Sequence, residues 1–327
     1  MDYRKLVKFG QSSFVISLPK AWLVKNKLGK GSIIYVEQQP SELRIFTKET
    51  PVDEKKEINI ETSNKNLGQI RKEIIAAYLN NYYRMTIIGS SLKDNLEEIR
   101  EIIHGLVAVE AVEQSHDRII AEDFLDMKTQ SIDSLIQRMD VTLRAMFTEF
   151  RDGMTNKGLK ALEQRDKDVN RLYFLSIKVL RYFLDNSQHN ISGVPNSRLA
   201  SKWWVVTFME NIGDDIKNLG TTLSKLQNTG EEKKIKDKFT KLIESIYDFY
   251  LKTMKFGYKN DAASAYKLSD DKNSLKKDVI LLTNEIKKNN ISKEKITSDY
   301  LAVGSLTEMS NSLIENVYSI LKMVFNL

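Results

Sequence analysis

"VVTFMENIGDDIKNLGTTLSKL", residues 205–226, sets the architecture of the larger part of this chain. Val205, Met209, Ile212, Ile216, Leu219, Leu223 and Leu226 recur at alternating steps of four and three. That period is the apolar seam of a helix packed in a bundle. Gly213 breaks the pattern of good helix formers, and a glycine inside a helix costs about 1 kcal/mol relative to alanine. Glu210 and Asp214 stand on either side of it, four residues apart, so two like charges share one helix face. A weak former between paired acids needs a reason from elsewhere in the chain.

Working outward, residues 128–327 read as nearly all helix, with segments at about 129–154, 157–186, 197–228, 231–256, 259–288 and 293–327. In the second segment Leu159, Leu162, Val169, Tyr173, Leu180 and Phe183 fall on one arc. The segments form two sets of three. "ALEQRDKDVNRLY" (161–173) aligns with "AYKLSDDKNSLKK" (265–277), and "MENIGDDIKN" (209–218) with "TEMSNSLIEN" (307–316). The economical reading is a duplicated three-helix unit, with repeats at about 128–228 and 231–327.

The front of the chain has a different texture. Pro19, Pro40 and Pro51 lie in the first 51 residues, and only Pro195 follows. "YRKLVKFG" and "SSFVISLP" are strand-like and joined by a turn at residues 10–12. "KAWLVKNKL" is a short helix, "GKGS" a tight turn, and "IIYVEQQP" with "LRIFTKE" a second hairpin. About fifty residues make a marginal core, so residues 1–50 are expected to dimerise, by interleaving strands. Residues 51–127 alternate as βαβαββ, a small α/β domain. Gly105 is the expected C-cap of its second helix. That domain has neither GxGxxG nor GxxxxGK, so no phosphate-binding glycine loop is expected in it. The fold class is multi-domain α+β: a β hairpin head, a small α/β domain and an all-α bundle.

Composition excludes several classes. The 327 residues contain no cysteine, which removes disulfides, thiolate nucleophiles and zinc fingers. No apolar run approaches the roughly 18 residues of a membrane span. The start "MDYRKLVKFG" lacks a signal-peptide core, and a cytoplasmic location without membrane insertion is expected. Net charge is +6, and all of it sits in residues 1–36, where seven basic residues face Asp2 alone. A local basic excess suits a phosphate backbone, and it also fits a solvated lysine surface.

Asp166 and Asn170 are spaced as Glu210 and Asp214 are, one helix earlier. Two i,i+4 pairs on neighbouring helices can gather three carboxylates and an amide oxygen, a hard site suited to Mg, Mn, Fe or Ca. Gly213 would then let a backbone or an ion come close. Helical geometry puts Asp166 inside the apolar arc and Asn170 at its edge, with Glu210 and Asp214 roughly 140–180° from the seam of theirs. The same spacing fits a solvated acidic face paired with lysines such as Lys217.

Two resemblances bear on these readings. "YRKLVKFGQSSFVISLPKAWLVKNKLGKGSIIYVEQ" resembles the AbrB/SpoVT/MazE swapped-hairpin domain, in its basic first strand, S-x-x-x-S-L-P-K, short helix and G-x-G turn. "EQRDKDVNRLYFLSIKVL" and "MENIGDDIKNL" are similar to the two motifs of the PhoU phosphate-uptake regulators. The combination looks like archaeal phosphate-uptake regulators. The resemblance implies a dimeric head on double-stranded DNA and metal bound at Asp166, Asn170, Glu210 and Asp214, of a divalent or iron type. Matching positions in the second repeat are Asp270, Ser274, Glu308 and Ser312, where two hydroxyls replace ligands.

The expected function is a DNA-binding transcriptional regulator of phosphate homeostasis. Arg4, Lys5 and Lys8 on the first strand and Lys20 at the helix start are the backbone contacts, with Gln11 and Ser12 reaching base edges. The bundle would sense a metal, phosphate or a protein partner. The alternative is a signalling adaptor that binds a transporter, kinase or transcription factor without touching DNA. A toxin-neutralising role fits a shorter chain. Catalysis is not expected, because His104, His116 and His189 form no spaced pair with an acid; they read as a helix C-terminal, a turn and a loop residue. Trp203, Trp204 and Phe208 read as bundle core or interface.

Overall fold

The computed structural model describes residues 3–38, 43–47, 55–152, 156–186, 193–226, 230–289 and 296–325. The chain divides into two compact units, Met1–Glu54 and Lys55–Leu327.

The first unit holds β1 (Val7–Phe9), β2 (Ser13–Val15), α1 (Lys20–Lys25), β3 (Tyr35–Gln38) and β4 (Leu43–Phe46). Both pairs are antiparallel hairpins; Val7 faces Val15 in one and Tyr35 faces Phe46 in the other. Gly10, at φ 71°, supplies the left-handed residue the first turn needs. β1 and β2 are three residues each, shorter than the sequence pattern indicates. Pro40 and Pro51 lie outside the described residues.

The second unit opens with β5 (Lys56–Glu61), α2 (Leu67–Leu79), β6 (Tyr82–Ile88), α3 (Leu96–His104), β7 (Val109–Gln114) and β8 (Arg118–Asp123). The sheet order is β5-β6-β8-β7, with β5 parallel to β6 and the other pairs antiparallel. This is the βαβαββ order expected. α2 begins with a capping box: Asn66 Oδ1 accepts from Gln69 N at 2.9 Å, and Gln69 Oε1 accepts from Asn66 N at 3.0 Å. Gly105 occupies the C-cap of α3 but in right-handed conformation, at φ −68°. The left-handed residue comes three positions later, at Ala108. Ile70, Ile74 and Tyr78 of α2 pack with Met85 and Ile87 of β6 in a buried core.

Six long helices follow: α4 (Ile132–Asp152), α5 (Asn156–Asp185), α6 (Asn196–Ser224), α7 (Gly230–Lys259), α8 (Ala262–Asn289) and α9 (Ile296–Phe325). α4, α5 and α6 pack on one another, as do α7, α8 and α9. The triplets join through like positions, α6 against α9 and α4 against α7. All seven seam residues are buried, six on α6 from Val205 to Leu223 and Leu226 just beyond its end.

The glycines of α6 have a packing role. A methyl group at Gly213 would lie 3.3 Å from Val169 and 3.5 Å from Leu143; at Gly220 it would lie 2.8 Å from Leu162. Small residues one heptad apart thus let α4 and α5 approach the α6 backbone. The space beside Gly213 holds side chains of neighbouring helices, which corrects the expectation that it admits an ion.

Two polar ties brace this unit. Lys178, fully buried on α5, bonds Asp123 Oδ2 at 2.8 Å and the Tyr78 carbonyl at 2.8 Å, fastening the bundle to the sheet domain. Burial lowers the Lys178 pKa, against the attraction of Asp123. On α4, Asp140 takes both arms of Arg144 at 2.9 Å and accepts from Tyr250 at 2.8 Å and Tyr258 at 3.0 Å, both on α7. Every lone pair of that buried carboxylate has a donor in place, so the cluster is structural.

Candidate functional site

In the first unit none of the described residues with an assigned burial is buried. Twelve large apolar side chains are exposed, including Leu6, Phe9, Phe14 and Ile33. Side chains alternate on a strand, so Val7 and Phe9 share one face of β1 and Lys8 lies on the other, opposite Phe14. Lys8 is therefore on the first strand as expected, but Arg4 and Lys5 precede it. The strand is short because its hairpin pairs through only three residues. Gln11 and Ser12 occupy the turn, and Lys20 opens α1. All six are exposed; Arg4 donates to the Tyr3 carbonyl at 3.1 Å.

The second candidate lies between α5 and α6. The arrangement follows from helix rotation: Asp166 sits within the apolar arc of α5 and is only 9% exposed, while Glu210 and Asp214 lie on a second face of α6, away from its seam, and are half-buried. Lys217, one turn on from Asp214, places its ammonium between the helices. Its Nζ is 3.0 Å from Asp166 Oδ2 and 2.7 Å from Asp214 Oδ1. Asn170 donates to Asp166 Oδ2 at 3.3 Å.

The electrostatics are those of crowded acids with one cation. Burial raises the Glu210 pKa to about 7, and the charges of Asp214 and Asp166 push the same way. Burial also raises Asp166, and the two hydrogen-bonding and charge contributions of Lys217 only partly offset it. Burial works against the Lys217 charge, but its bonds to Asp214 and Asp166 outweigh that and raise its pKa. Lys217 thus fills the place a bound cation would take. Among the described residues no three His, Asp or Glu side chains converge as a metal-holding group. The four predicted ligands are neighbours, and the alternative pairing with Lys217 is the one seen. The donor set still suits a hard cation, because Glu210 has no cationic hydrogen-bond partner among the described residues.

In the second repeat, Asp270, Ser274, Glu308 and Ser312 are all exposed. The charge pattern is inverted there. Glu315 on α9 is held by Lys272 at 3.0 Å and by Lys276, both on α8. Burial alone would raise Glu315; bonds from Lys276 and Lys272 overcome it and lower its pKa. Ser312 instead faces Asp215 of α6, whose Oδ2 accepts from Asn316 at 3.1 Å. Burial raises Asp215 to about 6, against those bonds.

Sequence reasoning missed Asp215, Lys178 and Asp140. Lys178 carried a readable signal, a lone cation in the apolar run "LSIKVL". Asp215 and Asp140 carried none, since nothing local distinguishes them from surface acids. His104 ends α3 and His116 is an exposed turn residue, as expected; His189 lies outside the described residues. Trp204 is 53% exposed and stacks on Phe208 at 5.9 Å, so it is not bundle core.

Fold and site together define an α+β protein with a small sheet region and a C-terminal helical bundle, and no helix among the described residues is long and apolar enough to cross a membrane. Comparison with protein-family models, curated proteins and solved structures gave no match.

Proposed function

We propose that the protein is a DNA-binding transcriptional regulator of phosphate homeostasis that works as a homodimer through residues 1–50. The observation that carries this reading is the head itself: among its described residues twelve exposed large apolar side chains and none buried, with seven basic residues against one acid within residues 1–36. Isolated two-stranded hairpins are marginal in water, so a second copy is needed to cover Leu6, Phe9, Phe14 and Ile33. Pairing two heads doubles the positive charge on one body and gives two equivalent DNA-contacting surfaces. Arg4, Lys5, Lys8 and Lys20 neutralise phosphates, and Gln11 and Ser12 at the tip of the first turn reach base edges.

In this reading the bundle is the sensing part. Asp166, Glu210 and Asp214, with the Asn170 amide oxygen, would hold a divalent or iron-type cation once Lys217 swings out of its bridging place. The ion would supply charge neutralisation and draw α5 and α6 together at that point.

The test is binding of the full chain to duplex DNA from upstream of its own gene, titrated with salt. Affinity should fall steeply with salt, and Lys5→Ala and Lys8→Ala, each removing one phosphate contact per head and two per dimer, should each reduce the log–log slope by about 1.8. A chain lacking residues 1–50 should not bind. If the full chain ignores the duplex at low ionic strength, the DNA reading fails. A second reading, a signalling adaptor that binds a transporter, kinase or transcription factor, is favoured by the exposed Trp204, which stacks on the half-buried Phe208. In that case Trp204→Ala would abolish regulation with DNA binding absent throughout.

A further inference from the structure

The cleft where α2, the end of α3 and the middle of α5 meet has a volume of about 660 Å³, within the range of small-molecule sites. Its lining is divided in charge by element. Arg71 of α2 lines it, as do Lys167 and Arg171, which stand four residues apart on α5 and so point the same way. None of these three has a carboxylate within ion-pairing distance among the described residues, although ion pairs are common elsewhere in the unit. Glu98 and Glu101 line it from α3. Apolar residues contribute as well, among them the aromatic Phe174 of α5.

Three unpaired cations lining one cleft repel one another, a cost that an anion removes. Guanidinium groups match the oxygens of a phosphate in paired hydrogen bonds. The α3 carboxylates reject a second anionic group but accept hydrogen bonds from hydroxyls. Inorganic phosphate would satisfy the cations and leave the rest of the space unused.

We infer that this cleft binds a small phosphate ester carrying hydroxyl groups, a nucleotide or a sugar phosphate, with the phosphate on Arg71, Lys167 and Arg171 and the hydroxyls on Glu98 and Glu101. Asn170 lines the same cleft and donates to Asp166, so the bound ester adjoins the Lys217 cluster. Binding there does not require the N-terminal unit to hold DNA, and the two readings fail separately.

The test is calorimetric titration of the full chain with AMP, ribose 5-phosphate and inorganic phosphate. At least one ester should bind about tenfold or more tightly than inorganic phosphate, and which of the two is preferred tells nucleotide from sugar phosphate. Arg71→Ala and Arg171→Ala should each weaken the ester about tenfold or more, while Lys72→Ala on the same helix outside the cleft should not. Glu101→Gln should weaken the ester and leave inorganic phosphate unchanged. Arg71, Arg171 and Lys72 are exposed, and unchanged thermal melts of the variants exclude misfolding. The inference is overturned if neither ester binds at millimolar concentration, if inorganic phosphate binds as tightly, or if both arginine variants bind like the unaltered chain.

Discussion

Replacing Glu210 by glutamine should stabilise the protein at pH 8 and leave it nearly unchanged at pH 4. Glu210 titrates ordinarily near 4.5 and in the folded chain at about 7. Below 4.5 both folded and unfolded states carry the proton, and the site makes no difference to stability. Between 4.5 and 7 the unfolded chain releases the proton first, so rising pH favours unfolding. Above 7 the folded state holds an ionised carboxylate that burial deprives of water and that Asp214 and Asp166 repel, and the penalty is complete. At about 1.4 kcal/mol per pH unit of displacement the full effect is about 3 kcal/mol. Glu210 keeps partial solvent contact, which screens its charge, and about 2 kcal/mol remains.

Urea denaturation of both proteins at pH 4 and pH 8 measures this directly. Glutamine reproduces the shape of the protonated acid, so the pH 8 gain isolates the charge. If a divalent cation binds the cluster, adding it at pH 8 should stabilise the unaltered chain and not the Glu210→Gln variant, closing the gap between them. An equal gain at both pH values would show that Glu210 acts through shape or hydrogen bonding, and the account of crowded acids would be wrong.

Other changes follow from the packing. At Gly220→Ala the new methyl would lie 2.8 Å from Leu162, so overpacking should exceed the gain in helix propensity and cost about 1–2 kcal/mol in a thermal melt. Gly213→Ala meets Val169 at 3.3 Å and should fall within about 1 kcal/mol of neutral by the same assay. Lys178→Met leaves the Asp123 carboxylate without its cation and should cost about 3 kcal/mol in urea denaturation; Lys178→Met with Asp123→Asn should recover much of that in a double-mutant cycle.

Most secondary structure was legible in advance. The alternating four-and-three spacing placed all seven seam residues in the core, although α6 ends at Ser224 and Leu226 lies just beyond it, and the βαβαββ order of residues 56–123 emerged from local pattern. Strand lengths in the head were not, because three-residue pairing leaves Arg4 and Lys5 outside β1. The candidate site was half legible. Asp166 could be put inside an apolar arc from its position alone, and it is buried. Lys217 was visible as a charge nearby, but not as the group that bridges Asp166 and Asp214.

Helix and strand periods arise from backbone geometry over a few residues, and they are written in the order of side chains. The close approach at Gly213 and Gly220, the bond from Asn316 to Asp215 and the fastening of Lys178 to Asp123 depend on how separate helices are rotated and spaced. Those quantities are set by packing between residues far apart in the chain, which no local pattern encodes.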